Sequence, residues 1–156
     1  MSRKRSSHAT PRVSRVESIV FAIAAVISVI GLADATYLTV QAVTGQSVIC
    51  GGSASCSEVL GSAYASLGGV PVAVFGVVAY FSAFAFATFA AFGSGRARRL
   101  FAMIVWLMFA GTLWFLYVQA FVLHAYCRYC LFSAAMTFLL AGLVIASPPV
   151  SSKSLS

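Results

Sequence analysis

The sequence predicts an all-α polytopic membrane protein, a bundle of four transmembrane helices with a short extracytoplasmic interfacial helix. The prediction rests on the apolar content, the scarcity of charge and four long apolar runs. Of the 156 residues, 61% are hydrophobic and 8% are charged, and the mean hydropathy is +0.98. A soluble domain is about 45–50% apolar and about 25% charged. The composition therefore excludes a soluble globular domain, a disordered chain and a multidomain enzyme.

Each of the four apolar runs is long enough to cross a bilayer, which takes about 20 helical residues. They cover about 18–43, 70–92, 100–123 and 127–147. The runs are continuous, whereas the strands of a membrane barrel alternate in polarity. The first run is too long for a signal peptide and lacks a suitable cleavage site. The predicted organisation is a basic segment over 1–16, a transmembrane domain over 17–147 and a tail over 148–156.

The net charge of +7 is concentrated on one side of the predicted bundle. Four spans place both chain ends on that side, with the connection between the second and third spans. Nine of the ten Lys and Arg residues lie there, and Arg128 lies opposite. By the positive-inside rule, both termini are cytoplasmic in a multi-pass protein of the inner or plasma membrane. These cations are topology signals rather than a nucleic-acid site. They are Arg3, Lys4, Arg5, Arg12, Arg15, Arg96, Arg98, Arg99 and Lys153.

All four cysteines fall in the two predicted extracytoplasmic connections, over 44–69 and 124–130. They are Cys50, Cys56, Cys127 and Cys130. That compartment is where disulfides form and persist. The alternatives are two inert disulfides that pin the loops, or a zinc site of four thiolates. The zinc site is disfavoured because the first pair is widely spaced and the compartment is oxidising. We therefore predict that the four thiols are catalytic and that no metal is bound.

The second pair, Cys127-Arg-Tyr-Cys130, opens the fourth predicted helix. Unpaired N–H groups and a partial positive charge at a helix N-terminus stabilise a thiolate. Cys130 lies deeper than Cys127 and next to an apolar run, so it is best placed to meet an oxidant dissolved in the membrane. Cys50 and Cys56 lie in a Gly/Ser-rich loop whose flexibility suits a pair that visits two partners.

Other polar positions permit more than one interpretation. Apolar residues at helical spacing from Val59 to Leu67 predict a short amphipathic helix that either roofs a pocket or only anchors the loop. Asp34, inside the first span, is either a proton donor for the site or a carboxyl group bonded to a neighbouring helix. His124 either handles protons or is solvated. Four further residues either serve the site or, equally well, belong to an aromatic belt at the outer interface. They are Tyr117, Gln119, Tyr126 and Tyr129.

Three features together resemble a known family. They are the widely spaced pair Cys50 and Cys56, the segment CSEVLGSAYASLGGVPVAVFGVVAY, and YVQAFVLHAYCRYCLFSAA with its C-x-x-C. Over about 30–142 the chain resembles bacterial homologues of vitamin K epoxide reductase. DsbB has related chemistry, but its C-x-x-C is in the first outer loop, so the order of the pairs here is the reverse.

The resemblance implies a membrane thiol–disulfide oxidoreductase that supports disulfide bond formation in exported proteins. By analogy, Cys127 and Cys130 form the redox centre, with Cys130 next to a membrane quinone, either menaquinone or ubiquinone. Cys50 and Cys56 would exchange disulfides with a thioredoxin-fold, DsbA-like partner. Many relatives carry that domain fused, and here we expect a separate protein. Ser62 matches a serine that supports the site by hydrogen bonding.

The chain departs from the animal enzymes at two positions of the implied quinone site. Ala134 stands where they have a tyrosine, and Val72 stands where they have an asparagine when the chains are aligned on Phe75. Epoxide reduction is therefore not expected, whereas quinone reduction is. The cofactor-binding residues implied are Cys130, Ser62, Val72, Phe75 and Ala134. The alternative function is a non-catalytic four-helix membrane scaffold with structural disulfides.

Overall fold

In the computed structural model, four antiparallel helices form a bundle, and the structure describes residues 15–44, 59 and 61–147. Helix α1 spans Arg15–Thr44, α2 spans Val72–Ala91, α3 spans Gly95–Tyr117 and α4 spans Arg128–Ala146. A π-helical turn, Val118–Val122, continues α3 without a break. Within the described residues, these four helices are long and apolar enough to cross a membrane. The predicted class and all four spans are confirmed.

The connections before α2 and α3 follow local turn chemistry. A 3-10 turn, Ala63–Ala65, leads into strand β1, Ser66–Leu67, which pairs antiparallel with β2, Val70–Pro71. Gly68 and Gly69 both have positive φ, as a two-residue hairpin requires. Ser94 caps α3 by accepting a hydrogen bond from the Ala97 N–H at 3.4 Å. The β-hairpin therefore ends immediately before the second span begins.

The predicted interfacial helix is wrong at its C-terminal end. Val59 is helical, but residues 63–65 form a 3-10 turn and 66–67 form a strand. The Ser62 hydroxyl donates to the Val59 carbonyl at 2.7 Å, and the Ser62 main chain is extended. This side chain thus competes for the carbonyl group that helix continuation would use. The rest of the predicted helix lies outside the described residues.

Helix α1 packs most extensively on α2, through small residues that let the backbones approach. Ala24, Ala35, Ala83 and Ala87 are buried in this contact region. Outward-facing side chains are large and apolar, such as Leu107 and Ile145, which suits contact with lipid. Small residues therefore line the contact between α1 and α2, while the exterior of the bundle is apolar, and lipid takes the place that water has around a soluble protein.

One end of the bundle carries an ion pair between α1 and α3. Arg98 Nη1 lies 3.0 Å from Glu17 Oε1, and the Arg98 guanidinium lies 5.5 Å from the centre of the Phe21 ring. Phe21 in turn packs edge-on against Phe101. Both charged side chains are partly buried, so this end of the bundle is held by charge and aromatic packing together. Arg98 is one of the cations from which the cytoplasmic side was predicted.

Candidate active site: a thiol pair beside an apolar cavity

Cys127 and Cys130 lie together at the N-terminus of α4, and both are free thiols. Cys127 is the N-cap residue and is fully buried, whereas Cys130, in the first turn, is partly exposed. The Cys127 carbonyl accepts the N–H of Leu131 at 2.9 Å, which starts the helical hydrogen bonding. The structure thus brings the predicted C-x-x-C pair to the end of a helix.

The Cys127 thiol is more acidic than an ordinary thiol. A hydrogen bond from the Cys130 thiol lowers the pKa of Cys127 to about 7, and the main-chain N–H groups of Cys130 and Tyr129 act in the same direction. Burial and the charge of Asp34 oppose this effect by raising the pKa. In the reduced pair the negative charge therefore resides on Cys127, at the helix end, and not on Cys130.

The main chain of Cys127 is held by a side chain eight residues earlier. Its N–H donates to Gln119 Oε1 at 3.1 Å, and the Ala125 N–H donates to the Gln119 carbonyl at 3.2 Å. His124, which lies between Gln119 and Ala125 in the sequence, has a positive φ of 50°. One glutamine therefore holds the sharp connection between α3 and α4, because its side-chain oxygen and its main-chain carbonyl each accept an N–H of that connection.

A cluster of small apolar contacts covers Cys127. Val59 and Ala125 are buried against it, and Phe115, Leu123 and Tyr129 pack around the group. Val59 comes from the long connection after α1, so this contact ties that connection to the C-x-x-C pair. Cys127 is thus covered by a residue three positions after Cys56 in the sequence.

Beside the thiol pair lies an apolar cavity of about 890 Å³, within the size range of small-molecule sites. It lies between the four helices and is bordered on the hairpin side by Tyr64, Ala65 and Pro71. Most lining side chains are aliphatic or aromatic. Cys130 lines the cavity, while the Cys127 sulfur, which is fully buried, is not among the lining groups.

Of the remaining predicted site residues that the structure describes, three line the cavity and one does not. Val72, Phe75 and Ala134 line the cavity together with Cys130. Ser62 does not line it, and its hydroxyl is engaged with the Val59 carbonyl. Cys50 and Cys56 lie outside the described residues. Among the residues described, no three His, Cys, Asp or Glu side chains are grouped to hold a metal.

Asp34 lies in the C-terminal half of α1 and is half-buried. Its Oδ2 atom is inaccessible and has no hydrogen-bond partner among the described groups. Its charge acts on the Cys127 thiol and raises the pKa of that group. Asp34 is therefore electrically coupled to the thiol pair. Among the described groups Oδ2 makes no bond to a neighbouring helix, and a role of Asp34 as a proton donor or hydrogen-bond partner of the site stays a prediction.

The prediction that Gln119 belongs to an interfacial belt is wrong. Its side chain is only 1% exposed, and it lies in the π-helical turn, where it holds Cys127 and lines the cavity. By contrast, Tyr117 and Tyr126 are exposed, as a belt requires. The signal for Gln119 was one amide inside an apolar run, eight residues before the C-x-x-C, and its polarity alone suggested an interface.

Comparisons with known proteins show which family the chain resembles. The model of the vitamin K epoxide reductase family matches residues 22–145. A curated relative, a thiol–disulfide oxidoreductase named LTO1 from Arabidopsis thaliana, is 35% identical over 114 residues. The match covers 67% of this chain and 30% of the relative, so the chain spans less than a third of that protein's length.

Proposed function

Because the chain belongs to the vitamin K epoxide reductase family, we propose that it is a quinone-dependent membrane thiol–disulfide oxidoreductase. It oxidises the dithiol of an extracytoplasmic thioredoxin-fold protein and passes the electrons to a membrane quinone. The observation that carries the proposal is the position of Cys130, which adjoins Cys127 and lines the apolar cavity. The cysteine end of the bundle faces the extracytoplasmic side, and the end with Arg98 faces the cytoplasm.

Electrons enter through Cys50 and Cys56. A partner thiolate attacks Cys50 of the Cys50–Cys56 disulfide, and the second thiolate of the partner then displaces Cys50, which completes the disulfide of the partner. The released Cys56 thiolate attacks the second disulfide at Cys127, and Cys50 then attacks Cys56, which re-forms the first disulfide and frees Cys127. The length of the chain supports the attack of Cys56 on Cys127, because Val59 packs on Cys127. Cys56 is three residues from Val59, and three residues of chain span at most about 11 Å. The chain between Cys56 and Val59 is therefore short enough to be compatible with contact between Cys56 and Cys127.

The reduced pair, Cys127 and Cys130, passes its electrons to the acceptor through Cys130. When Cys127 is attacked, Cys130 leaves as a thiolate. Once the first pair has reoxidised, Cys127 and Cys130 share one proton through the hydrogen bond between their sulfur atoms. Transfer of that proton to Cys127 leaves the negative charge on Cys130, beside the cavity. Re-forming the disulfide then releases two electrons, which go to the acceptor with two protons.

The lining of the cavity suits a quinone, which would supply the two-electron sink. Apolar side chains accept the ring and its hydrocarbon substituents, while Cys130 provides the redox contact. Val72, Phe75 and Ala134 are the lining residues to which the family analogy points. With valine and alanine at two of these positions, neither side chain offers a hydrogen bond, so we propose quinone reduction and not epoxide reduction.

The test compares two cysteine variants of the full-length protein in detergent. Cys130→Ala should abolish quinone reduction by a small membrane-permeant dithiol, because the thiol at the cavity is gone. Cys50→Ala should keep that reaction and lose oxidation of a reduced thioredoxin-fold protein. Full quinone reduction by Cys130→Ala would disprove the proposal, and unchanged oxidation of the protein substrate by Cys50→Ala would disprove the shuttle role.

A further inference from the structure

Gln119 carries an unused hydrogen-bond donor and borders the cavity. The side chain is 1% exposed, and its Nε2 atom has no hydrogen-bond partner among the described groups. An amide group buried without its hydrogen bonds is costly, so such a group calls for an explanation. Gln119 also lines the cavity that Cys130 lines. A ligand in this cavity is the partner that the geometry offers.

The orientation of the amide is fixed by its neighbour. The Cys127 N–H is purely a donor, so the glutamine atom 3.1 Å from it must be the acceptor Oε1. Rotating the amide would place two donors against each other. The two hydrogens of Nε2 therefore remain available, and the atom that they meet must be a hydrogen-bond acceptor.

Nearby polar groups of the cavity wall already have partners. The Tyr80 hydroxyl donates to the Ser133 carbonyl at 2.8 Å and lies 3.1 Å from Thr137 Oγ1. The Thr137 hydroxyl is itself 3.1 Å from the Ser133 carbonyl. These hydroxyls satisfy one another, whereas Gln119 Nε2 is a buried side-chain donor of a wall residue that has no partner among the described groups.

The π-helical turn explains how a glutamine comes to occupy this place. The turn, Val118–Val122, is closed by the Leu123 N–H on the Val118 carbonyl at 2.9 Å. A π-turn inserts one residue into the helix and changes the direction of the side chains that follow, and such turns are frequent at functional sites. Here it coincides with the burial of Gln119 beside Cys127.

We infer that Gln119 binds the electron acceptor, its Nε2 donating a hydrogen bond to a carbonyl oxygen of a quinone ring while its Oε1 holds the Cys127 N–H. This inference rests on the proposed function and names the residue that recognises the polar part of the acceptor. One amide then links the acceptor to the thiol pair, because the same side chain touches both. The ligand class is a planar apolar ring that carries carbonyl oxygens.

The test measures binding to the oxidised full-length protein, in which no electrons are available to consume the quinone. In a Trp106→Phe background, Trp114, which lines the cavity, is the sole tryptophan. Its fluorescence measures the binding of dimethylnaphthoquinone. The affinity of dimethylnaphthalene, the same ring system without carbonyl oxygens, is measured by its competition with the quinone. Gln119→Met should weaken quinone binding about tenfold, as expected for one lost hydrogen bond, and change hydrocarbon binding less than about twofold.

Binding of the hydrocarbon distinguishes the loss of a hydrogen bond to the carbonyl oxygen from structural damage to the cavity, because only the damage would weaken hydrocarbon binding. The variant Leu113→Met, on the lipid-facing side of α3, controls for the introduced methionine and should leave both affinities unchanged. Equal weakening of both ligands by Gln119→Met, or unchanged quinone affinity, would overturn the inference. If the wild-type protein neither binds nor reduces a quinone, the proposed function fails as well. If it does both while Gln119→Met binds normally, only the inference about Gln119 fails.

Discussion

The ring of Tyr80 on α2 packs directly against Gly31 on α1, where an added methyl group would overlap the ring carbon atoms. The hydroxyl of the same tyrosine donates to the main-chain carbonyl of Ser133 on α4 at 2.8 Å. Tyr80 thus joins three helices, and both Tyr80 and Ser133 line the cavity. The absence of a side chain at residue 31 is what allows this tyrosine to reach across the bundle.

Replacing Gly31 with alanine should destabilise the bundle. The new methyl group displaces the Tyr80 ring and strains its hydrogen bond to Ser133, so the free energy of unfolding should fall by about 1–3 kcal/mol. Reversible denaturation in detergent micelles measures this change. Gly111→Ala is the matched control, because nothing lies within 4 Å of its added methyl group. Equal stability of the two variants would contradict the packing role of Gly31.

The reduced Cys127 thiol should titrate with a pKa of about 7, below its ordinary value of 9.0. The thiolate fraction then rises with pH through about 7 and is lost below it. Ultraviolet thiolate absorbance of a Cys50→Ser, Cys56→Ser background follows this titration. Cys130→Ala in that background should raise the pKa of Cys127, because it removes the hydrogen bond that lowers the value most.

The same shift predicts how the stability of the reduced protein depends on pH. A folded-state pKa below the unfolded one means that the unfolded chain binds more protons between about pH 7 and pH 9. The stabilisation is complete above about pH 9, decreases as pH falls and is lost below about pH 7. Reduced-protein stability that stays flat across this window, with Cys130→Ala identical, would contradict the assignment.

Asp34→Asn should lower the pKa of Cys127 further. The negative charge of Asp34 disfavours the thiolate and raises that pKa, and asparagine removes the charge at nearly constant size. The same absorbance titration measures the effect. Thr36→Val, which changes an exposed polar residue on the same helix, should leave the pKa in place. If Asp34→Asn behaves like Thr36→Val, Asp34 is uncharged in this pH range and has no electrostatic role at the thiols.

Which side chains of a span point into the bundle and which point outward could not be predicted from the periodicity of hydrophobic residues. In a soluble helix, polar and apolar faces differ, and their spacing identifies the buried side. In lipid the outward face is as apolar as the core, so Leu107 and Val105 look alike in the sequence although one is 70% exposed and the other is buried. Only the packing of α3 against α2 and α4 distinguishes them.

Gln119 and Ser62 illustrate the same limit for polar residues. A glutamine near the end of a span suggests an interface, and the π-helical turn that buries it has no signature in a spacing of 3.6 residues. Ser62 was assigned from resemblance, but its hydroxyl serves the turn at Val59. Local hydrogen bonding decided both outcomes, and local hydrogen bonding of this kind depends on main-chain geometry.

The sequence by itself determined that this chain is a four-span helical membrane protein, which end is basic, and that a C-x-x-C opens the last helix. These properties follow from one-dimensional quantities: the length of apolar runs, the placement of charge and the spacing of cysteines. The tertiary structure decided that Cys130 adjoins the cavity while Cys127 is sealed beneath Val59 and held by Gln119. Those relationships depend on which residues meet across helices, and in a bundle that is apolar inside and out, packing alone selects them.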